Sequence, residues 1–364
     1  MNILHFNPSM AMGGIEAMIC GLANQMSKDG HNVSVATIFS PKDDDLFWYK
    51  LSAKIKKITL GKKNKGFSLN ELWRIYTIIK EGNYDIVNIH GFFYYYFLAI
   101  LLLHKKVKFY YTIHSDAYQE NSYWDLKLIR LKKMAFRRKW VHAITISEES
   151  QTSFVKLYNT ESELIHNGII KSVISKGSPI IDKYRYTQNT KVFIHPARIT
   201  EAKNQVVLCE VFSQLIAEKE DVVLLIVGSI QDESIYKTIK SHFCDRIVFL
   251  GQRNDVPQLM SACDAFCLPS IWEGLPVTLL EALSVGCIPI CSPVGGIVNV
   301  VKNRKNGLLS NSSSKKDYYD VVKSFLSLSD YSLSHLKEEC EKSFAPYDMS
   351  ICSSKYLSYY ENKK

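Results

Sequence analysis

The sequence has no long hydrophobic run. The longest, Phe92 to Leu103, holds 12 apolar residues, against the ~20 that a helix needs to cross a bilayer. The opening residues, Met1-Asn-Ile-Leu-His-Phe, read straight into a strand, with no charged segment leading an apolar one, so no secretory signal is expected. Cysteine is present but unpatterned. The close pairs, Cys263/Cys267 and Cys287/Cys291, sit in or beside apolar, strand-like stretches, and read as small buried hydrophobes rather than zinc ligands. An odd total of nine in a chain of this size points to a reducing cytosol. No Asp-x-Asp pair follows a strand; Asp43-Asp44-Asp45 precedes Leu-Phe-Trp and reads as a solvated turn. No Gly-x-Gly-x-x-Gly is found, which removes the nicotinamide fingerprint.

What is there suits two folded domains. A chain of 364 residues is too long for one ordinary core, and 46% hydrophobic with 22% charged residues argues against disorder. Aromatics, at 12%, fill cores and also suit sugar clefts. The net charge of +9 is uneven, with an excess of seven basic residues in 1–170 and two in the remainder. The excess concentrates in Lys127–Trp140, which reads as a helix with one basic and one apolar face. Two readings fit it: a packed helix with a solvated basic face, or peripheral contact with an anionic membrane, Trp140 lying near the headgroups. No nucleic-acid motif accompanies the charge, so no nucleic-acid partner is expected.

Along the chain the pattern is strand, loop, helix, repeated. Strands are read at Ile3–Asn7, Val33–Ile38, Asp85–His90, Lys108–His114 and Val141–Ile146, with helices at Ile15–Lys28, from Phe92, at Tyr123–Lys139 and at Glu148–Tyr158, the last capped by Ser147. After a Ser-, Gly-, Pro- and Lys-rich linker at Lys171–Asn189, a second series runs from Lys191 through helices starting at Lys203 and Pro276 to Ser292. The strands are apolar throughout rather than alternating, as a parallel sheet covered on both faces requires. The expected fold is α/β: two doubly wound, Rossmann-like parallel-sheet domains facing across a cleft, residues 1–170 and 171–345, with a C-terminal helix near 346–364 packing back on the first.

Residues Pro269 to Gly286 carry the most chemistry. A strand ends at Pro269, a turn with Gly274 follows, Pro276 fits the first helical position, and Gly286 closes the helix. The backbone N–H groups of Leu275, Val277 and Thr278, with the helix dipole, can receive a phosphate or a developing negative charge. Glu273 stands before the helix and Glu281 within it, so one can reach a reacting centre and the other the paired hydroxyls of a ribose. Alone, such a pair is equally a cap and a surface residue. Arg198 and Lys203 follow a strand and can meet the charge of a departing diphosphate without a metal. Gly13-Gly14 allows close approach of backbone to phosphate, and by itself is also an ordinary turn. His114 ends one strand and His90 a neighbouring one; each suits either a sugar hydroxyl or a structural hydrogen bond.

Glu273-x7-Glu281 enclosing Gly-Leu-Pro and followed by Glu-Ala-Leu-Ser-Val-Gly-Cys-Ile-Pro-Ile closely resembles the signature of glycosyltransferase family 4, retaining enzymes of the GT-B fold. The resemblance continues in order: Gly13-Gly14-Ile-Glu16, Thr112-Ile-His114, His166-Asn167-Gly168, Arg198 with Lys203-Asn204, and Gly251-Gln-Arg-Asn254. The family usually has an acid soon after the Asn-Gly turn, where this chain has Ile169-Ile170.

The resemblance implies a nucleotide diphospho-sugar donor held by the C-terminal domain, with the base near Gly251–Asn254 and the ribose at Glu281. It places the diphosphate between Arg198, Lys203 and the Leu275–Thr278 amides, and the sugar near Glu273 and His114. The acceptor, a lipid-linked glycan at the cytoplasmic membrane face as in bacterial surface polysaccharide assembly, would enter from the N-terminal domain, past His90 and Glu16. No cofactor or metal is implied. Two other readings share the scaffold: a nucleotide-sugar epimerase or hydrolase, and a non-catalytic subunit of a membrane glycan-assembly complex.

Overall fold

The computed structural model describes residues 1–362 except 12, 43–44, 64–67, 172–173 and 175–176. Asp43 and Asp44 lie outside the described residues. Asp45 is buried, not solvated, and accepts from the Lys42 amide at 3.1 Å.

The chain divides into two compact units, Met1–Ile170 with Tyr347–Lys364, and Lys171–Pro346. In the first, β1 (Asn2–Asn7), β2 (Asn32–Phe39), β3 (Lys56–Lys62), β4 (Ile86–Ile89), β5 (Lys108–Ile113), β6 (Val141–Thr145) and β7 (Glu163–Leu164) form a sheet of order β3-β2-β1-β4-β5-β6-β7. In the second, β8 (Lys191–Pro196), β9 (Val222–Val227), β10 (Ile247–Phe249), β11 (Ala265–Leu268), β12 (Ile288–Cys291) and β13 (Leu308–Leu309) are ordered β10-β9-β8-β11-β12-β13. Neighbouring named strands pair in parallel. Ile3, Leu4 and Phe6 on β1, and Val222 to Ile226 on β9, are fully buried, because helices cover both faces of each sheet. The two doubly wound α/β units match the expected fold. In each, strand order reverses beside the first strand, between β1 and β4 and between β8 and β11, and ligands of such sheets bind at the carboxyl ends of these strands.

The C-terminal helix Met349–Asn362 packs within the first unit, against helix Gly14–Lys28. Ile169 donates its amide to Tyr347 O and receives that of Met349 on its own carbonyl, each at 2.9 Å. Gly168 makes this approach feasible: a Cβ there would lie 2.5 Å from Cβ of Cys352. Cys263, Cys267, Cys287 and Cys291 are buried free thiols, packed as small apolar groups.

Several local readings need correction. Strand β3 and helix Leu69–Glu81 add to the elements expected from the sequence. β3 is an edge strand carrying Lys56, Lys57 and Lys62, the charge that blunts an exposed edge and hides the apolar run. The basic helix is broken: Tyr123–Lys127 and Ile129–Arg137 meet at Leu128, whose φ of −97° and ψ of 12° end the first. Lys132 lies inside the fold rather than on a basic face. Half of the expected linker is folded into the second unit, where Pro179–Asp182 is helical and Arg185 bonds Asp264 at 2.9 Å and the Ala262 carbonyl at 2.8 Å. The helix expected from Lys203 begins at Gln205, after a short turn and Asn204 at φ +56°. Pro276 is the cap of helix Val277–Ser284, one position earlier than the first helical residue. Among the described residues no helix is long and apolar enough to cross a membrane.

Candidate functional site

In the second unit, the loops after β8 and β11 are joined at the strand-order reversal. The Ile271 amide donates to Ala202 O at 2.8 Å, and Asn204 Nδ2 donates to the carbonyls of Pro269 and Ser313 at 3.1 and 3.0 Å. This stitching brings together two residues far apart in sequence: the Lys203 ammonium donates to Glu273 Oε1. The same oxygen accepts from Ser270 Oγ at 2.6 Å. Glu273 keeps 8% of its side chain exposed and Lys203 19%. An ammonium has three donors, so the pairing with Glu273 leaves two directions for another anion.

The neighbouring helix Val277–Ser284 has no side-chain cap and no acid in its first turn. Its first amides, Val277 and Thr278, have no intrahelical acceptor by geometry, and an anion is their natural partner. Leu275 and Pro276 are buried, while Gly274 lends its carbonyl to the Gly296 amide at 2.7 Å. Glu281 is half-buried on the same helix. Arg198 is exposed on the loop after β8, its carbonyl receiving Gln205 Nε2 at 2.8 Å. Gly228 sets that loop: at φ +152°, any Cβ would overlap the Ala197 carbonyl. Gly251, at φ +66°, accepts the Gly228 amide at 2.9 Å, and Arg253 holds Asp255 through two bonds of 2.8 and 2.7 Å.

In the first unit, Gly13 precedes helix Gly14–Lys28 in extended backbone, and Glu16 lies in its first turn. His114 follows β5 and is 8% exposed. Its amide donates to Glu120 Oε1 at 2.9 Å, and its Nε2 lies 2.9 Å from His90 Nδ1. His90 Nε2 in turn lies 3.3 Å from His5 Nδ1. Both nitrogens of His90 are thus engaged by imidazoles in a buried position, the structural hydrogen-bonding alternative for this residue. Burial drives His114 down to about 3 and His5 to about 4, and burial with its two neighbours lowers His90 well below the usual imidazole range. Burial raises Glu120 to about 7.

Five contributors went unnoticed in the sequence. Ser270, Gly228, Asn204 as a tie and Glu120 all act through loop geometry, which no spacing announces. His5 had a signal: a histidine in the middle of an apolar first strand. Among the described residues no cluster of His, Cys, Asp and Glu suits a metal ion.

Two family models match the chain: "Glycosyltransferase Family 4" over residues 12–172 and "Glycosyl transferases group 1" over 179–342. An Escherichia coli UDP-Gal:alpha-D-GlcNAc-diphosphoundecaprenol alpha-1,3-galactosyltransferase is 27% identical over 264 residues, 66% of this chain and 66% of that protein. A Campylobacter jejuni N,N'-diacetylbacillosaminyl-diphospho-undecaprenol alpha-1,3-N-acetylgalactosaminyltransferase is 26% identical, covering 64% of this chain and 62% of its own length. The match thus spans just under two thirds of these relatives. Among solved structures, Anabaena HepE in complex with UDP and glucose superposes with a TM-score of 0.79 at 19% identity, over 99% of each chain. A Rickettsia africae glycosyltransferase gives 0.80 at 20% identity, over 99% of this chain and 97% of that one.

Proposed function

The chain belongs to glycosyltransferase family 4, and from that premise we propose that it moves a sugar from a nucleoside diphospho-sugar, with retention, to a hydroxyl of a lipid-linked glycan in surface polysaccharide assembly. The observation that carries this reading is the meeting of Lys203 and Glu273 beside an uncapped helix N-terminus at the strand-order reversal of the second unit. The diphosphate belongs with Lys203, Arg198 and the amides of Val277 and Thr278. The nucleoside extends toward Glu281 and Gly251, and Glu273 meets the sugar.

As the bond from the anomeric carbon to the diphosphate breaks, negative charge grows on the departing oxygen. Fixed cations and helix amides stabilise that charge more than the ground state, which is what lowers a barrier. The acceptor oxygen attacks from the same face, and its proton passes to the departing phosphate oxygen. The cations meet the diphosphate charge, so no metal is required. The names of the E. coli and Campylobacter relatives support an acceptor on an undecaprenyl diphosphate carrier. Exposed Lys127, Arg130 and Arg138 offer that carrier's membrane a cationic surface.

The test is a thermal-shift screen against UDP-, GDP-, ADP- and dTDP-sugars, followed by transfer to a synthetic GlcNAc-diphospho-lipid. Transfer with an α-linked product, lost in Glu273→Ala, is the expected result. A donor isomerised or hydrolysed without acceptor would make the chain an epimerase or hydrolase instead. Binding of none would favour the non-catalytic reading.

A further inference from the structure

Three serines stand in a row at the carboxyl ends of adjacent strands in the second unit. Ser270 comes two residues after β11, Ser292 directly after β12 and Ser310 directly after β13. All three are buried, Ser270 and Ser292 completely. The Ser310 amide donates to the Cys291 carbonyl and the Ser292 amide to the Leu268 carbonyl, each at 3.0 Å. The Ser292 hydroxyl donates to the Ser270 carbonyl. The Ser270 hydroxyl then donates to Glu273 Oε1 at 2.6 Å, so the row ends on the carboxylate of the candidate site.

Glu273 Oε1 also accepts from the Lys203 ammonium. Both bonds to the carboxylate therefore fall on one oxygen, and Oε2 has no partner among the described residues. The two donors do different things. The last torsion of a glutamate is broad and roughly two-fold, so its own rotamer preference does not fix the plane of the carboxylate. An ammonium is a compact charge on a flexible four-carbon stem with three rotatable donors, and it can follow the carboxylate through a range of orientations. Ser270 cannot follow. Its stem is one carbon long, its surroundings enclose it, and Ser292 holds its backbone. A hydrogen bond weakens steeply as it leaves the line from donor to acceptor, so a fixed hydroxyl selects one carboxylate orientation. Lys203 brings the charge and Ser270 the direction.

We propose that Ser270 is a positioning residue for Glu273: it holds Oε1 together with Lys203, and so leaves Oε2 as the one acceptor presented to a hydroxyl of the transferred sugar. The sugar half of this inference rests on the proposed role of Glu273, and the orientation half does not. Every group involved comes from the loops after β8, β11 and β12, all within the second unit. Ser292 acts one step further back, through the Ser270 carbonyl.

Two measurements on the full-length protein test it. The first compares crystal structures of the wild type, Ser270→Ala and Ser270→Cys, the last keeping the volume while offering only a weak donor. The expected result is a single carboxylate plane for Glu273 in the wild type and a turned or split carboxylate in both variants, with the surrounding backbone in place. A carboxylate that keeps the wild-type plane in both variants would overturn the proposal, whatever the enzyme binds. The second is calorimetric titration with UDP, UDP-galactose and UDP-glucose. Ser270→Ala should leave the Kd for UDP unchanged, since UDP carries no sugar. It should raise the Kd for a UDP-sugar about three- to tenfold, the scale of one hydrogen bond. In a Glu273→Ala background the same substitution should have no further effect. Equal losses for UDP and the UDP-sugar, or a loss that persists without Glu273, would mark Ser270 as merely structural and overturn the positioning role. A turned carboxylate in Ser270→Ala, with UDP-sugar affinity unmoved there and in Glu273→Ala, would keep the positioning and remove the sugar reading of Glu273. With neither UDP-sugar bound by the wild type, the carboxylate plane still decides the positioning.

Discussion

Lys203 and Glu273, seventy residues apart, share one ion pair, and Ser270 completes the grip on the carboxylate. Because the two side chains touch, their substitutions should not act independently. On the proposed reading, Lys203→Ala removes a cation from the diphosphate, and it also releases Glu273. Glu273→Ala removes the proposed sugar contact and also releases Lys203. Each should lower kcat/KM about 100- to 1,000-fold, the range seen on losing one electrostatic stabiliser, with modest change in melting temperature. The double variant should cost clearly less than the product of the two. A four-enzyme kinetic cycle measures this, and strictly multiplicative losses would separate the two roles.

Gly228 should be as intolerant as the charged residues. Its φ of +152° and its contact with the Ala197 carbonyl leave no room for a methyl group. Gly228→Ala should destabilise the protein by about 2 kcal/mol from backbone strain alone, and more once the overlap is counted. The loop it displaces carries Arg198, so the surviving folded protein should also show a raised KM for the donor. Urea unfolding and steady-state kinetics read the two effects separately.

The architecture and the charged residues of the second unit were legible in the sequence because they leave local marks. Apolar runs such as Val222–Val227 announce buried parallel strands, and Glu273, Pro276 and Gly286 mark a strand–turn–helix junction. The ties between loops leave no such mark. Asn204 reaches Pro269 and Ser313, and Glu120 reaches the His114 amide, through folds of the chain that no spacing encodes. The histidine chain was hidden for the same reason: His5 and His90 meet only because β1 and β4 are neighbours in a crossed strand order. Lys132 departs furthest from its sequence pattern. Its place in a basic run suggested exposure, whereas the break at Leu128 turns it inward.

Acid stability should be governed by the histidine chain. His5, His90 and His114 have lowered folded values, so the unfolded chain binds protons below about 6.5 that the folded one refuses. Their contribution is complete above that pH and is lost as pH falls toward 4, by up to about 1.4 kcal/mol per pH unit for each proton. Glu120 runs the other way. Its folded value is raised to about 7, so its contribution is present below about 4.5 and is lost as pH rises through 7. Between 4.5 and 6.5 the histidines win, three groups against one. Urea midpoints across this window should fall with acid. Glu120→Gln should steepen that fall, and His114→Gln should flatten it.

In the proposed site the diphosphate meets Lys203, Arg198 and helix amides, and on that reading transfer should survive chelation. Activity in excess EDTA should stay within about twofold of that with magnesium, since fixed cations already supply the leaving-group stabilisation. A collapse on chelation, restored by Mg2+ or Mn2+, would move the charge compensation from side chains to a metal.

Membrane contact and stability should separate within one short stretch of helix. Lys132 is 2% exposed, bonded to Asn121 Oδ1 at 2.9 Å, with its ammonium 4.6 Å from the centre of the Tyr111 ring. The nearby Glu120 and Asp125 carboxylates support its charge, although burial lowers its value. Lys132→Met removes the bond to Asn121 and the cation beside two acids, and should destabilise the protein by about 1–3 kcal/mol, the cost of leaving a buried acceptor unsatisfied. Its neighbours face outward: Arg130 and Arg138 are exposed, Lys133 is half-buried, and all three line a shallow surface pocket with Met134 and Arg137. Replacing Arg130, Lys133 and Arg138 by Gln should leave the urea midpoint nearly unchanged. The same change should weaken binding to phosphatidylglycerol vesicles, by about 1 kcal/mol per charge at low salt, and the difference should vanish at high salt. Arg137 is best left in place, because its Nε donates to the Tyr158 carbonyl at 3.1 Å. Vesicle binding that ignores both salt and the triple substitution would assign this basic face to solvent alone.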